Sequence, residues 1–376
     1  MKFVVSSMEL LGHLQAISRV ISSKNTLPIL DNFLFSVEEG MLEITASDLE
    51  STLITTLQLE NTEGTGLVAI PARILTDTLK EFPDIPLTFE INPDNLMIVI
   101  QSENGKFTIM GQNGTEFPQM PVLKDDLKQQ VNLEQEVLMS GINKSLFATA
   151  DDELRPVMNG IFLELSPDDI TFVASDAHKL VRYKRTDASA PAASSFILPK
   201  KPASLLKNIL AREENPVLME FDDRNACFTL TSYKLVCRLV EGNYPSYNSV
   251  IPTENPYKMS IDRLALYNTL KRVSVFANQA SSLVKLSLTG NQLNVSAQDI
   301  DFSISANERL SCQYEGEDME IGFKSTFLIE ILHNLDSTDV VLEMSDPTRA
   351  GILLPGEAEN ENEDTLMLLM PMMINA

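Results

Sequence analysis

VAIPARILTDTLKEF (68–82), FILPKKPASLLKNIL (196–210) and EIGFKSTFLIEILHNL (320–335) are three versions of one pattern: a short apolar strand that runs into leucines and isoleucines at helical spacing. Pro71, Pro199 and Phe323 hold equivalent places in them, 128 and 124 residues apart. The same period recurs on either side. Upstream, each third opens on a strand that leads into a helix at Ser6, Asn132 and Ser260, separated by 126 and 128 residues. Ser6 with Glu9 and Asn132 with Gln135 match the capping box, in which two side chains satisfy the free amides of a first helical turn. ITASDLE (44–50), FVASDAHKL (172–180) and NVSAQDIDF (294–302) each end a strand in an acidic turn, with Asp48, Asp176 and Asp299 spaced by 128 and 123. Downstream, EFPQMP, NYPSYN and LMPMM close each third on a proline, and Pro118, Pro245 and Pro371 stand 127 and 126 apart. LMIVIQSENGKFTIMG (96–111) and CFTLTSYKLVCRLV (227–240) alternate and turn as antiparallel hairpins do. Repeats of this length are whole domains. The chain therefore reads as α+β, with three similar units, each of two helices packed on antiparallel sheets. The expected spans are 1–125, 126–252 and 253–376, with polar or proline-bearing connectors near 124–130 and 251–257.

Composition narrows the function. Cys227, Cys237 and Cys312 are an odd set without CxxC spacing, so neither a disulfide framework nor a zinc site is expected, and a reducing cytoplasm suits them. No apolar run approaches the roughly 20 residues a membrane helix needs, and MKFVVSSMELLGHL carries no signal-peptide cleavage site, so a soluble protein with no membrane partner is expected. The P-loop, dinucleotide, zinc-protease and serine-hydrolase motifs are missing, and His13, His178 and His333 are not spaced as ligands. No catalytic residue, metal or cofactor is expected. Asp151, Asp152 and Glu153, and the acidic stretch 357–364, read as solvated loops. Asp176 beside His178 has the look of an acid–base pair, which makes a small-molecule hydrolase or transferase the rival reading; an acidic DNA mimic or scaffold is the second. The net charge of −24 argues against nucleic acid, because non-specific affinity comes from cations that displace counterions.

The ordered motifs resemble the bacterial sliding clamp, the β subunit of the replicative DNA polymerase III. They are KNTLPILDNF (24–33) then ASDLE, ELRPVMNGIFLEL (153–165) then VASDAHKLV (173–181), VEGNYPSYNSVIP (240–252), YEGE (314–317) and the terminal MPM (370–372). The resemblance spans the whole chain. It implies three DNA-clamp domains per subunit, and a homodimer closed head to tail into a ring around duplex DNA. Helices would line the hole and sheets would lie outside. The implied partners are double-stranded DNA, a second copy, the replicative polymerase, the clamp loader and other replication and repair proteins.

The charge objection then has an answer in the sequence. The expected helices (8–24, 72–83, 132–150, 200–214, 260–278 and 324–336) carry 13 Lys and Arg against 10 Asp and Glu, leaving the rest of the chain at −27. Their cations include Arg212; the DNA-facing set implied by resemblance is Arg19, Lys24, Arg73, Lys80, Lys144 and Arg155, with Lys200, Lys201, Lys207, Lys271 and Arg272. Enclosure replaces tight phosphate contacts, so a few inward cations suffice.

By the same resemblance a groove for short apolar peptides is walled by Met158, Ser175, Ala177, His178, Lys179, Leu180, Pro245, Ser249 and Val250. Thr348, Ala350, Leu368, Leu369, Met370, Pro371 and Met372 complete it. LMLLMPMM (366–373) is too apolar to end a chain in water uncovered, although Leu366 and Leu368 would point into a core by alternation if the stretch were a plain strand. Ala177 stands where the family often has glycine, Ser249 where arginine is frequent, and Ile374, Asn375 and Ala376 extend past the usual end. The subunit interface is expected to join Phe107 and Ile109, on an edge strand, to Val275 and Phe276 at a helix end.

Overall fold

The computed structural model describes residues 1–59, 61–357 and 360–374. Its helices are α1 (Ser7–Ile17), α2 (Ala72–Lys80), α3 (Gln135–Ser145), α4 (Lys200–Leu210), α5 (Arg263–Val273) and α6 (Ser325–His333). Leaving aside the short strands Thr62–Glu63, Gln112–Asn113 and Gln313–Glu315, each follows one strand and precedes three, so every third of the chain is itself built twice from one β-α-β-β-β motif. The helices share a buried phase. Ala72, Leu75, Thr76 and Leu79 of α2 recur at i, i+3, i+4 and i+7, as do Leu266, Thr269, Leu270 and Val273 of α5.

Two compact units emerge, one of residues 1–135 with 204–239 and one of 136–203 with 240–376. The division runs through the middle third, because strands of different thirds pair edge to edge. In the first unit Ser51–Gln58 pairs with Tyr233–Arg238, from Cys237 opposite Ser51 to Tyr233 opposite Thr55. In the second, Lys179–Arg185 pairs with Glu363–Leu369, from Lys179 opposite Leu369 to Arg185 opposite Glu363. Each junction makes a nine-stranded antiparallel sheet. The first unit also holds a five-stranded sheet ending at Lys106–Met110, and the second a four-stranded sheet ending at Ile304–Ser311. Both end strands lack an outer neighbour among the described residues.

The acidic turns repeat in atomic detail. The carboxylate of Asp48 accepts the amides of Glu50 and Ser51, that of Asp176 accepts those of His178 and Lys179, and that of Asp299 accepts those of Asp301 and Phe302. Ser6 caps α1 by accepting the Glu9 amide at 3.2 Å. Asn132 does not cap α3: it lies in the Gln129–Leu133 strand opposite Leu218, and Gln135 is already helical, with its side chain donating to the Leu210 carbonyl. In the third repeat Asp262 caps α5 by accepting the Ala265 amide, two residues beyond Ser260.

A candidate peptide groove and its flanking surfaces

In the second unit residues 366–369 of the Glu363–Leu369 strand are apolar on both faces, and the faces go to different places. Met367 and Leu369 enter the main core under α5 and α6. Leu366 and Leu368 face away from it and join Val173, Leu180, Tyr247, Ala350 and Ile352 in a separate small cluster, edged by Phe162, Tyr244, Ile251 and Leu354. Cross-strand register makes the floor, with Leu180 opposite Leu368 and Leu368 opposite Ile352. The connector 240–252 forms one wall: Tyr244 stacks on Phe162 at 4.8 Å and nearly parallel, and the Tyr247 hydroxyl bonds the Glu164 carboxylate. Around this floor Ala177, His178, Pro245, Ser249, Val250, Thr348 and Met370 are exposed, Pro371 and Met372 half-buried, and Met158 and Ser175 buried.

The tail is pinned on its way past. The Met370 amide donates to the His178 carbonyl and the Met372 amide to the Gly322 carbonyl, both at 2.8 Å. A Cβ on Gly322 would meet the Met372 carbonyl oxygen at 2.8 Å, so only glycine lets the tail lie there. Asn375 and Ala376 lie outside the described residues.

Two expected wall residues belong elsewhere. Leu369 is fully buried in the core, since alternation sends it to the face opposite Leu368. The Lys179 side chain leaves the floor for α6, where it pairs with Asp176 at 2.8 Å and Glu330 at 3.1 Å and lies 4.3 Å from the Phe327 ring centre. Burial works to raise the Asp176 carboxyl, but the hydrogen bonds from Lys179 and from the turn amides bring it below its ordinary value. Its oxygens are occupied, one by those amides and one by Lys179, so the apparent acid–base pair with His178 is a turn. Phe327 and Lys324 were not foreseen as wall residues: Phe327 stacks on His178 at 5.8 Å and also lies 4.7 Å beneath the Lys324 ammonium.

Three family models match the chain in tandem, the N-terminal, central and C-terminal domains of the DNA polymerase III beta subunit, at residues 1–121, 132–246 and 248–373. The chain belongs to the DNA polymerase III beta-subunit family. The beta sliding clamp of Pseudomonas putida is 29% identical over 376 residues, 99% of this chain and 100% of its own. That of Synechococcus elongatus is 29% identical over 366 residues, covering 94% and 96%. The crystal structure of the Pseudomonas aeruginosa sliding clamp bound to griselimycin matches all of both chains with a TM-score of 0.92 at 25% identity. The beta subunit of Thermotoga maritima does so at 0.90 and 26%.

In this family member most of the basic residues expected to face DNA already have acidic partners. Arg73 and Lys80 share Asp77, Lys200 pairs with Asp151 at 2.5 Å, and Arg155 with Asp152 at 2.8 Å. Arg272 pairs with Glu308, and Lys144 is turned to Asp336 and the Asn334 carbonyl, largely covered, which removes it from any open surface. Arg19, Lys24 and Lys207 are exposed with no ion pair among the described residues; Lys201 is exposed, and Lys271 lies over the Tyr267 ring at 5.4 Å.

On the free edges, Phe107 is 40% exposed, Phe276 37% and Val275 72%. Ile109 is only 7% exposed, because it points from Lys106–Met110 toward the core of its sheet. Phe107 packs edge-on to Phe82 and lines a hollow of about 740 Å³ with Pro71, Ile74 and Thr78 of the α2 region. The described residues hold no cluster of three or more potential metal ligands and no helix long and apolar enough to cross a membrane.

Proposed function

We propose that the chain is a processivity factor: two copies close into a ring that encircles duplex DNA, slides on it and tethers the replicative polymerase and other replication and repair enzymes. The observation that carries this reading is a pair of strand edges with no outer neighbour among the described residues, Lys106–Met110 with exposed Phe107 and Ile304–Ser311 beside exposed Val275 and Phe276. Two different edges are what a head-to-tail contact requires, and such a contact closes a ring when its rotation permits. Inside the ring Arg19, Lys24 and Lys207 meet phosphates loosely enough to allow sliding, while the acidic remainder repels DNA from the outside.

The Leu180, Ile352 and Leu368 floor takes an apolar peptide, with Met370, Val250 and His178 at its rim, and supports docking of the polymerase, the clamp loader and other partners. The three repeats act as clamp domains 1–125, 126–252 and 253–376, and the protein works in the cytoplasm without chemistry of its own. The test is the mass in solution. The unaltered chain is expected at twice 41.8 kDa, and Phe107→Glu or Val275→Glu at one chain's mass with peptide binding in the groove retained. Dimers that survive both substitutions overturn the assignment of these edges.

A further inference from the structure

The second unit's groove has a counterpart in the first. The groove row runs Ser175, Leu180, Leu368, Ile352, Glu343 across five strands. The first unit repeats that ladder as Ser47, Thr52, Val236, Cys227, Glu220. Each row ends in an ion pair of the same length, Lys258 to Glu343 and Lys128 to Glu220, both 2.7 Å. Each is crossed by a connector with an aromatic at the same place: Tyr244 lies on Phe162, and Phe117, 127 residues earlier, packs beside Leu34, 128 residues before Phe162.

The side chains on the two ladders differ in one direction. Thr52, Val236 and Cys227 are each smaller than Leu180, Leu368 and Ile352, so the floor is lower. Above Val236 and Cys227 lies a hollow of about 700 Å³, bounded also by Thr45 and the connector residues Met120 and Val122. That volume is within the range of small-ligand pockets. Its rim leaves apolar surface in water: Val122 is 84% exposed, Leu67 38% and Met120 37%. Lys128 is neutralised by Glu220, so Glu43 and Asp125 outweigh Lys234 around the opening.

We infer that this hollow is a second peptide-docking site, which takes an extended partner segment presenting an aromatic or long aliphatic anchor beside a lysine or arginine. The inference rests on the reading of the Leu368 groove as a peptide site, because the matched ladder is what assigns an extended peptide. The deeper floor selects a bulkier anchor, and the acidic rim selects its basic neighbour.

A phage-displayed library of random linear peptides, panned on the full chain carrying Leu368→Arg to close the first groove, tests it. The expected result is enriched peptides with one bulky apolar residue next to a cation, weakened at least tenfold by Thr45→Arg in the pocket and several-fold by Val122→Glu at its rim. No enrichment, or binders indifferent to both changes, overturns the proposal. A change of solution mass with Val122→Glu assigns the hollow to a second copy and overturns it as well. The same library panned on the unaltered chain keeps the two readings apart: binders that ignore Leu368→Arg and both pocket changes sink the groove, whereas binders lost only with Leu368→Arg leave the groove standing and sink the second site.

Discussion

Arg185 closes one end of the seam between the second and third repeats. It is 2% exposed at the end of the Lys179–Arg185 ladder, opposite Glu363. Its guanidinium grips Asp187 through two bonds of 2.8 Å and reaches Glu136 at 3.1 Å and Glu363 and the Tyr183 hydroxyl at 3.3 Å. Arg185→Met leaves three carboxylates facing a thioether. Removing one partner of a buried ion pair costs about 3–5 kcal/mol; Glu136 and Asp187 reach water and rehydrate, which lowers the expectation to about 2–4 kcal/mol. For a unit of this size that is a fall of roughly 6–12 °C in Tm, read by calorimetry and checked by urea titration. Arg185→Lys keeps the charge but loses the fork and should recover less than half of the deficit.

The pH dependence has a definite sign. The Arg185 hydrogen bonds hold the Asp187 carboxyl below its ordinary value. A depressed carboxylate stabilises the fold above the unfolded value of about 3.9 and loses that contribution as pH falls through the folded one. The methionine variant has no such contribution to lose, so the gap between the two proteins should narrow between about pH 5 and pH 3. A deficit below about 1 kcal/mol at pH 7, or one that widens toward acid, refutes the reasoning.

Three further outcomes are expected. Leu368→Arg should weaken a fluorescent polymerase-derived peptide at least tenfold, and Leu369→Ala, one residue on, should cost about 2–5 kcal/mol in denaturation. Ala177 has a φ of +73° in the turn beside the groove, so Ala177→Gly should relieve about 1–2 kcal/mol of backbone strain against about 0.5–1 of added chain entropy, for a small net gain measurable in urea. Changing Arg19, Lys24 and Lys207 together to glutamate should slow loading onto nicked circular DNA and leave peptide affinity unchanged; an unaltered loading rate removes them from the DNA-facing set.

The threefold repeat was legible because its landmarks obey local chemistry: a strand-ending aspartate that binds the amides after it and a helix with one buried phase need no distant partner. The twofold repeat inside each third was not, since its halves share element order without shared motifs. Facing was the other limit. LMLLM is apolar at every position, and period two separates Leu366 and Leu368 from Met367 and Leu369 without saying which pair meets the core. Lys179 and Lys144 look like surface cations in sequence, yet each is claimed by a carboxylate far along the chain, Glu330 and Asp336. Phe327 and Lys324 lie in the strand-to-helix stretch that revealed the repeat, and their neighbourhood with His178 arises only from tertiary packing.

Retention on DNA of defined topology bears most directly on whether this acidic protein works by enclosure. Loaded onto nicked circular duplex, it should stay bound through gel filtration and be released when the circle is cut. Equal loss from circular and linear DNA, or retention on both, would contradict the account.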